Sequence, residues 1–248
     1  MHPLLLQAID AQRGVYRSIL EECLLYKSDI WRIENKSDED PEWMNGFLSA
    51  FDAVSLYALI RLHLPRNYIE IGSGHSTRFT RRAVKDGQLD TKLISIDPRP
   101  RKDVRGIADR VIEQPVEELS LDIFESLQSG DILFVDDSHR VFTNSDATVV
   151  FLDILPRLKP GVLVQFHDIF LPADYPPEWN ARYYSEQYLL ACHLLAHTQQ
   201  FEILLANAVI SGDPELSSIL AELWSHPAMN NVERHGCSFW LRILERRG

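Results

Sequence analysis

The stretch Asn67–Thr77, with the sequence NYIEIGSGHST, places two glycines directly after a short apolar segment and before a segment with helical character. Glycine lets the chain turn tightly at this point and brings bare backbone close to a bound ligand. A Gly-x-Gly pair is weak evidence when it stands alone. Its meaning depends on the next apolar segment of the chain.

A carboxylate ends that next apolar segment: Asp97 comes directly after Leu93–Ile96, 23 residues beyond Gly74. In doubly wound sheets, an acid about 20 residues after a glycine turn accepts hydrogen bonds from ribose hydroxyls. The alternative is that Asp97 caps a turn before Pro98. Thr77 stands where the dinucleotide fingerprint has its third glycine, which disfavours a nicotinamide enzyme and favours a ligand without phosphates.

Short apolar runs alternate with helical stretches from residue 67 onward, which predicts a mostly parallel sheet covered on both faces. We expect strands at Tyr68–Ile71, Leu93–Ile96, Arg110–Glu113, Ile132–Val135, Val162–Phe166, Phe201–Ala206 and Ser238–Ile243. The last of these is expected to pair antiparallel at the sheet edge, and Pro214–Trp224 is expected to be helical. The predicted fold is therefore a Rossmann-like α/β fold with a seven-stranded, mostly parallel sheet and helices on both faces.

The residues before this sheet have a helical pattern. Apolar side chains recur at helical spacing over residues 4–34, a polar run at Asn35–Pro41 breaks the pattern, and a second helix is expected from Pro41 to Leu62. We therefore predict that residues 1–64 form an N-terminal helical cap integrated with a binding domain at residues 65–248.

Composition argues against a nucleic-acid-binding, membrane-spanning or secreted protein. The 248 residues carry a formal net charge of −11, which disfavours a nucleic-acid partner. The small basic patch Arg99, Arg101, Lys102 and Arg105 is interpreted as a solvated loop. No apolar run is long enough to cross a membrane, and the N-terminus lacks the features of a secretory signal, so we expect a cytoplasmic protein. Its three scattered cysteines are expected to be reduced core residues.

Polar clusters follow the fourth and fifth predicted strands. Asp136, Asp137 and His139 come after Ile132–Val135, and His167 and Asp168 come after Val162–Phe166. Because ligands bind outside the carboxyl ends of parallel strands, both clusters should open onto the same crevice as Gly72. Histidine suits a general base, since its ordinary pKa is about 6.5. The alternatives are that the aspartates cap the next helix and that His167 and Asp168 form a structural pair.

Together these residues resemble the class I S-adenosylmethionine-dependent methyltransferases, in particular the small bacterial O-methyltransferase-like branch with the pattern strand-Glu-x-Gly-x-Gly-x-Ser-Thr. The resemblance covers about Trp43 to Ile210. It implies that S-adenosylmethionine is the cofactor and that the chain is an enzyme. It further implies that Asp97 holds the ribose and that the glycine turn surrounds the methionine portion. The cofactor-binding residues predicted in this way are Glu70, Gly72, Ser73, Gly74, Asp97 and Asp136. Pro115 departs from the family pattern, so the adenine contact is unassigned.

The resemblance also implies the chemistry. Metal-dependent sugar O-methyltransferases carry an acid at the end of strand four, a histidine base three residues later and an acidic pair after strand five. Asp136, His139 and Asp168 match these positions. We therefore predict His139 as the base, Asp136 as its catalytic partner and His167 as the rival base. Asp136, His167 and Asp168 are the candidate ligands of magnesium or another divalent metal. His167 replaces the first acid of the pair, which weakens the case for magnesium.

The remaining expectations concern the acceptor. A proline-rich aromatic loop at 170–179 is predicted to act as a lid over a small-molecule acceptor or to form a surface or dimer contact. Trp43 and Phe47 are expected to close the opposite wall. The competing hypothesis is a non-catalytic S-adenosylmethionine-binding or protein-interaction module on the same fold. Homo-oligomerisation through the N-terminal helices is left open.

Overall fold

A seven-stranded sheet lies at the centre of the molecule. The computed structural model describes residues 1–100, 103–196 and 200–245. The strands are β1 Asn67–Ile71, β2 Lys92–Ile96, β3 Arg110–Ile112, β4 Ile132–Val135, β5 Leu163–Phe166, β6 Phe201–Ala206 and β7 Phe239–Ile243. Their order in the sheet is β3-β2-β1-β4-β5-β7-β6. This arrangement confirms the predicted Rossmann-like α/β fold.

Strand β7 is antiparallel to both of its neighbours, β5 and β6. The predicted antiparallel pair at the sheet edge is confirmed, because β6 occupies the edge and β7 pairs with it from the inner side. Strands β1, β4 and β5 are buried along most or all of their length. Buried strands of this kind read as continuous apolar runs, which explains why their bounds agree with the prediction to within one residue.

Helices surround the sheet, and their bounds follow the chain order. They are α1 Pro3–Asp10, α2 Arg13–Cys23, α3 Lys27–Ile30, α4 Ala50–His63, α5 His75–Gly87, α6 Asp122–Glu125, α7 Asp146–Val149, α8 Glu186–Leu195, α9 Asn207–Gly212, α10 Pro214–Ser218 and α11 Ala221–Ser225. A π-helical turn at Val150–Ile154 continues α7. None of the helices in these described ranges is long and apolar enough to cross a membrane.

The N-terminal region differs in detail from the predicted pair of helices. Residues 4–34 form three α-helices and a 3₁₀ turn, and α4 begins at Ala50, nine residues later than expected. The side chain of Asn45 accepts hydrogen bonds from the backbone N–H groups of Phe47 (2.9 Å) and Leu48 (2.7 Å), and Gly46 has φ +73°. This local turn replaces the first helical turns because an asparagine side chain competes with the helix for backbone donors.

Helix α2 packs on α4 and β6, and α1 packs on α8. The buried Tyr16 and Leu20 of α2 belong to the same hydrophobic core as the strands. The predicted boundary between a cap at 1–64 and a domain at 65–248 stays a prediction. Two of the three free cysteines, Cys23 and Cys237, are buried as expected, but Cys192 is exposed on α8, so its prediction as a core residue is wrong.

Candidate functional site

The glycine turn after β1 runs directly beneath the end of β4. Gly72 has φ +85°, and a Cβ atom at this position would lie 2.1 Å from the backbone oxygen of Asp136. The Gly72 N–H donates to the Ile96 carbonyl (2.9 Å), and the Asp136 N–H donates to the Ile71 carbonyl (2.9 Å). A side chain is therefore excluded here by both space and backbone conformation. The turn leaves backbone open towards the cleft at the strand ends.

Glu70 lies beneath this turn and is fully buried. The hydroxyl groups of Ser76 (3.2 Å) and Thr77 (2.5 Å) donate to its carboxylate, and Thr77 Oγ1 accepts from the Gly74 N–H (3.0 Å). Burial raises the pKa of Glu70 to about 8, although the hydroxyl donors lower it. The structure thus places Glu70 beneath the turn and outside the residues that line the cleft. Thr77, in the position of the missing third glycine, bonds both Glu70 and the turn.

Asp97 lies across the turn from β1. Its Oδ2 accepts from the backbone N–H (3.1 Å) and the hydroxyl (2.9 Å) of Ser73, while its Oδ1 accepts from the Arg99 N–H (2.8 Å). The acid that the sequence spacing paired with the glycine turn therefore contacts this turn directly. Of the six predicted cofactor residues, Gly72, Ser73, Asp97 and Asp136 line one cleft, whereas Glu70 and Gly74 are not among its lining residues.

The cleft has a volume of about 1120 Å³. Pockets for a single small ligand usually measure roughly 300–1,000 Å³, so this cleft is large enough to hold such a ligand. Its lining comes from the glycine turn, from the ends of β2, β4 and β5, and from the segment after β3, which contributes Pro115 and Val116. The carboxyl ends of the parallel strands therefore form its base, as expected for an open α/β sheet.

The 170–179 loop forms one wall of this cleft, and its role as a lid over an acceptor stays a prediction. Phe170 and Trp179 line it, together with Tyr184, and the rings of Trp179 and Tyr184 meet edge to face at 5.7 Å. The guanidinium of Arg182 lies 3.8 Å from the Trp179 ring centroid. Phe47 lines the facing wall, but Trp43 packs on Phe79 instead and is absent from the lining. Arg99 of the basic patch lies at the cleft, whereas Arg101 and Lys102 are outside the described residues.

His139 lies at the centre of the acidic part of the cleft and is 3% exposed. Its Nε2 lies 3.2 Å from Asp136 Oδ1, and its Nδ1 lies 2.8 Å from Glu186 Oε2, at the start of α8. The backbone fixes the same contact, because the His139 carbonyl accepts from the N–H groups of Ser185 (2.7 Å) and Glu186 (3.1 Å). The imidazole is thus clamped between two carboxylates, with Asp136 on the cleft side.

The charges around His139 determine its protonation. Burial lowers its pKa, but the hydrogen bonds and negative charges of Asp136 and Glu186 outweigh burial and raise the pKa well above its ordinary value. Burial raises the pKa of Asp137 and of Glu186; the charge of Glu186 adds to the rise at Asp137, and the charges of Asp146 and Asp136 add to the rise at Glu186. The surrounding carboxylates therefore favour the protonated form of His139.

His167 lies on the opposite side of Asp136. Its Nδ1 is 3.6 Å from Asp136 Oδ1 and 3.3 Å from Asp168 Oδ1, and its Nε2 faces Asp52 and Cys237. Asp136 therefore lies between the two candidate bases. Burial lowers the pKa of His167, but the surrounding negative groups raise it above the ordinary value overall. The two polar clusters predicted to converge do converge.

Sequence reasoning missed three residues of this site. Asp52 lies in an otherwise apolar stretch of α4, and this charge within a buried helix was a signal that could have been read. Glu186 and Cys237 gave no such signal, because they lie far from His139 and His167 in sequence and only the fold brings them close. Their contribution depends on the docking of α8 and β7 against the cleft.

Magnesium does not fit the predicted ligand set Asp136, His167 and Asp168. An imidazole stands between the two carboxylates, and magnesium prefers oxygen ligands in octahedral geometry. Among the described residues, the groups that bring three ligand atoms within 4.8 Å of one another are Asp52, His167 and Cys237, and Asp137, His139 and Glu186. The predicted trio is not one of these groups.

The family profile described as a methyltransferase domain matches residues 69–169 of the chain, from β1 to just beyond β5. A comparison with curated proteins finds no matching sequence.

Several solved structures match most of the chain at low sequence identity. The S-adenosylhomocysteine-bound methyltransferase PaMTH1 of Podospora anserina is 16% identical with a TM-score of 0.48, and the match covers 90% of this chain and 88% of that one. The O-methyltransferase of Bacillus cereus in complex with S-adenosylhomocysteine is 15% identical with a TM-score of 0.44, covering 92% and 91%. The O-methyltransferase TomG of Streptomyces achromogenes, in complex with S-adenosylmethionine, is 17% identical with a TM-score of 0.46, covering 90% of each chain.

Proposed function

We propose that this chain, whose residues 69–169 match a methyltransferase domain, is an S-adenosylmethionine-dependent methyltransferase that transfers the sulfonium methyl group to a hydroxyl oxygen of a small molecule. The observation that carries this proposal is the position of His139, whose Nε2 meets Asp136 Oδ1 at 3.2 Å in the same cleft as the glycine turn. A buried imidazole beside the cofactor cleft is the group that a hydroxyl acceptor requires for removal of its proton.

The cofactor is proposed to lie along the strand ends. The methionine portion binds against Gly72 and Ser73, the ribose hydroxyls bind Asp97, and the adenine packs on the apolar surface of Pro115 and Val116 after β3. Asp136 then lies near the sulfonium, where its negative charge stabilises the positive sulfur. Glu70 supports this arrangement from below by bonding the first turn of α5.

The transfer is a single displacement. The acceptor oxygen attacks the methyl carbon, the carbon–sulfur bond breaks with its electrons left on sulfur, and the hydroxyl proton passes to His139. S-Adenosylhomocysteine and the methyl ether are the products. Most of the acceleration comes from alignment of acceptor and methyl group in a cleft that the 170–179 loop shields from water.

The base must lose its proton before it can act. In the free protein the carboxylates raise the pKa of His139 and so favour its protonated form. Binding of the cationic sulfonium beside Asp136 adds a positive charge close to this imidazolium and lowers its pKa, since like charges disfavour the charged form. Loading of the cofactor therefore prepares the base. His167, 3.6 Å from the same carboxylate, is the rival proton acceptor. No step of this mechanism requires magnesium.

The test compares His139→Ala with the unmodified protein. We expect S-adenosylmethionine to bind with affinity unchanged within a few-fold by calorimetry, while turnover with sugar, phenol and polyketide hydroxyls falls about 10²- to 10⁴-fold, the usual contribution of a general base. His226→Ala is the matched control, because His226 stacks on Trp31 with ring centroids 4.2 Å apart and lies outside the cleft lining.

Unchanged turnover in His139→Ala would remove His139 from the mechanism and leave His167 as the rival to be tested. Binding of S-adenosylmethionine without transfer to any hydroxyl would instead support the non-catalytic module. Failure of the unmodified protein to bind S-adenosylmethionine would contradict the cofactor placement itself.

A further inference from the structure

Cys237 and Asp52 converge on His167 at its Nε2 atom. Cys237 Sγ lies 3.9 Å from His167 Nε2 and 3.5 Å from Asp52 Oδ2, and His167 Nε2 lies 3.6 Å from the same Asp52 oxygen. All three side chains are buried, with exposures of 7%, 4% and 1% for the cysteine, histidine and aspartate. They come from three separate elements: α4, the end of β5 and the residue pair before β7. Three good ligand atoms thus form a small triangle.

The sides of this triangle match a tetrahedral metal site. Zinc bonds of 2.0–2.3 Å at tetrahedral angles separate neighbouring ligand atoms by roughly 3.4–3.6 Å. We propose that Asp52, His167 and Cys237 bind a thiophilic divalent cation of the zinc type, with a fourth coordination position open to the cleft. Thiolate and imidazole select zinc over magnesium, so this site differs in chemistry from the magnesium site expected from sequence and shares only His167 with it.

The surroundings of the ligands are those of a metal site. Asp168 Oδ1 lies 3.3 Å from His167 Nδ1, and a carboxylate on the far nitrogen of a ligating histidine orients the ring and raises its basicity. Asp52 is held in place by the Ser49 hydroxyl (2.9 Å), the Asn207 amide (2.8 Å) and the Ser238 N–H (2.8 Å). Ligating carboxylates are commonly fixed by hydrogen bonds in this way.

A bound cation would also balance the negative charge of the carboxylates around Cys237, which a free thiolate would increase. Cys237 Sγ contacts carboxylate oxygens of both Asp52 (3.5 Å) and Asp168 (3.2 Å), which oppose the formation of a free thiolate. A bound divalent ion reverses this, because it deprotonates a coordinating thiol. His167 and Cys237 both line the cleft, so the fourth position faces the space for the acceptor. Three protein ligands and one open position are the pattern of catalytic zinc sites.

Cobalt(II) titration of the full chain, without S-adenosylmethionine, tests the proposal. We expect one equivalent to bind, with the visible bands of tetrahedral cobalt and a thiolate-to-cobalt charge-transfer band, and zinc to displace it. In Cys237→Ser the charge-transfer band disappears and zinc affinity falls more than about 100-fold. Asp168→Asn keeps the band and lowers the affinity about 10- to 100-fold, as loss of a partner behind a ligand does.

The other cysteines supply matched controls. Cys23→Ser changes a buried thiol and Cys192→Ser an exposed one, both outside the cleft lining, and both variants should give the unmodified spectrum. A charge-transfer band that persists in Cys237→Ser would overturn the proposal. Absence of this band from the unmodified protein would overturn it even if Cys237→Ser failed to fold. Because binding is measured without the methyl donor, these outcomes are separate from those of the methyl-transfer experiment.

Discussion

Glu186 is one of the two carboxylates that hold the ring of His139. It is fully buried, its Oε2 meets His139 Nδ1 at 2.8 Å, and its negative charge helps to hold the imidazole protonated. The same bond fixes which ring nitrogen faces Asp136 and the cleft. A base that must release a proton before it can accept one makes the rate depend on pH.

We expect Glu186→Gln to shift the acidic limb of the kcat/KM–pH profile to lower pH. Removal of the negative charge lowers the pKa of His139, so the neutral imidazole forms at lower pH. A pH–rate series on both proteins measures the shift. Glu22→Gln, an exposed change on α2, is the control. Superimposable acidic limbs would show that another group sets the pH dependence.

At the scale of elements, the contact between the β1 turn and the end of β4 determines the shape of the cofactor side of the cleft. The sequence predicts a glycine requirement at residue 72, but it does not reveal the physical reason. The partner that excludes a side chain is the backbone oxygen of Asp136, which lies 2.1 Å from the place that a Cβ atom of residue 72 would occupy. Two strands that pair in parallel bring these residues together.

We expect Gly72→Ala to lower the affinity for S-adenosylmethionine at least about tenfold in calorimetry, because the turn must move away from β4. We also expect the protein to be destabilised by about 1–3 kcal/mol, given the positive φ and the close contact. Gly14→Ala on α2 is the matched control: its added methyl meets no atom within 4 Å, and the change should be neutral or slightly stabilising. Equal binding by the two variants would contradict the assignment of the turn to the cofactor.

The elements also show where sequence reasoning succeeds. Buried parallel strands and the Asp97 spacing are predictable, because apolar runs and a fixed sheet geometry leave few alternatives. The conformation of the residues before α4 is not predictable in this way, since Asn45 and Gly46 form a turn held by a side chain, which periodicity does not reveal. Glu186 and Cys237 could not be assigned either, because their proximity to His139 and His167 depends on tertiary packing.

For the whole molecule, Glu70 links stability to pH. Its folded pKa of about 8 lies above the ordinary 4.5, so between these values the folded protein holds a proton that the unfolded chain releases. Stability conferred in this way is present at low pH and is lost as the pH rises through this window. The loss amounts to about 3 kcal/mol between pH 4.5 and pH 7.

Thermal unfolding of the protein without cofactor, from pH 5 to pH 8, measures this effect. We expect Tm to fall with pH in the unmodified chain and to fall less steeply in Glu70→Gln, which has no proton to lose. Glu22→Gln, again exposed, should follow the unmodified curve. Parallel curves for Glu70→Gln and the unmodified protein would show that Glu70 titrates at its ordinary pKa.

The internal position of β7 has a consequence for biosynthesis. This strand follows the other six in sequence, yet it pairs with both β5 and β6. A nascent chain that has not yet released residues 237–243 from the ribosome therefore carries two unpaired strand edges and an acceptor cleft without Cys237. Such edges are templates for association with other chains. Insertion of β7 closes both of these edges at once.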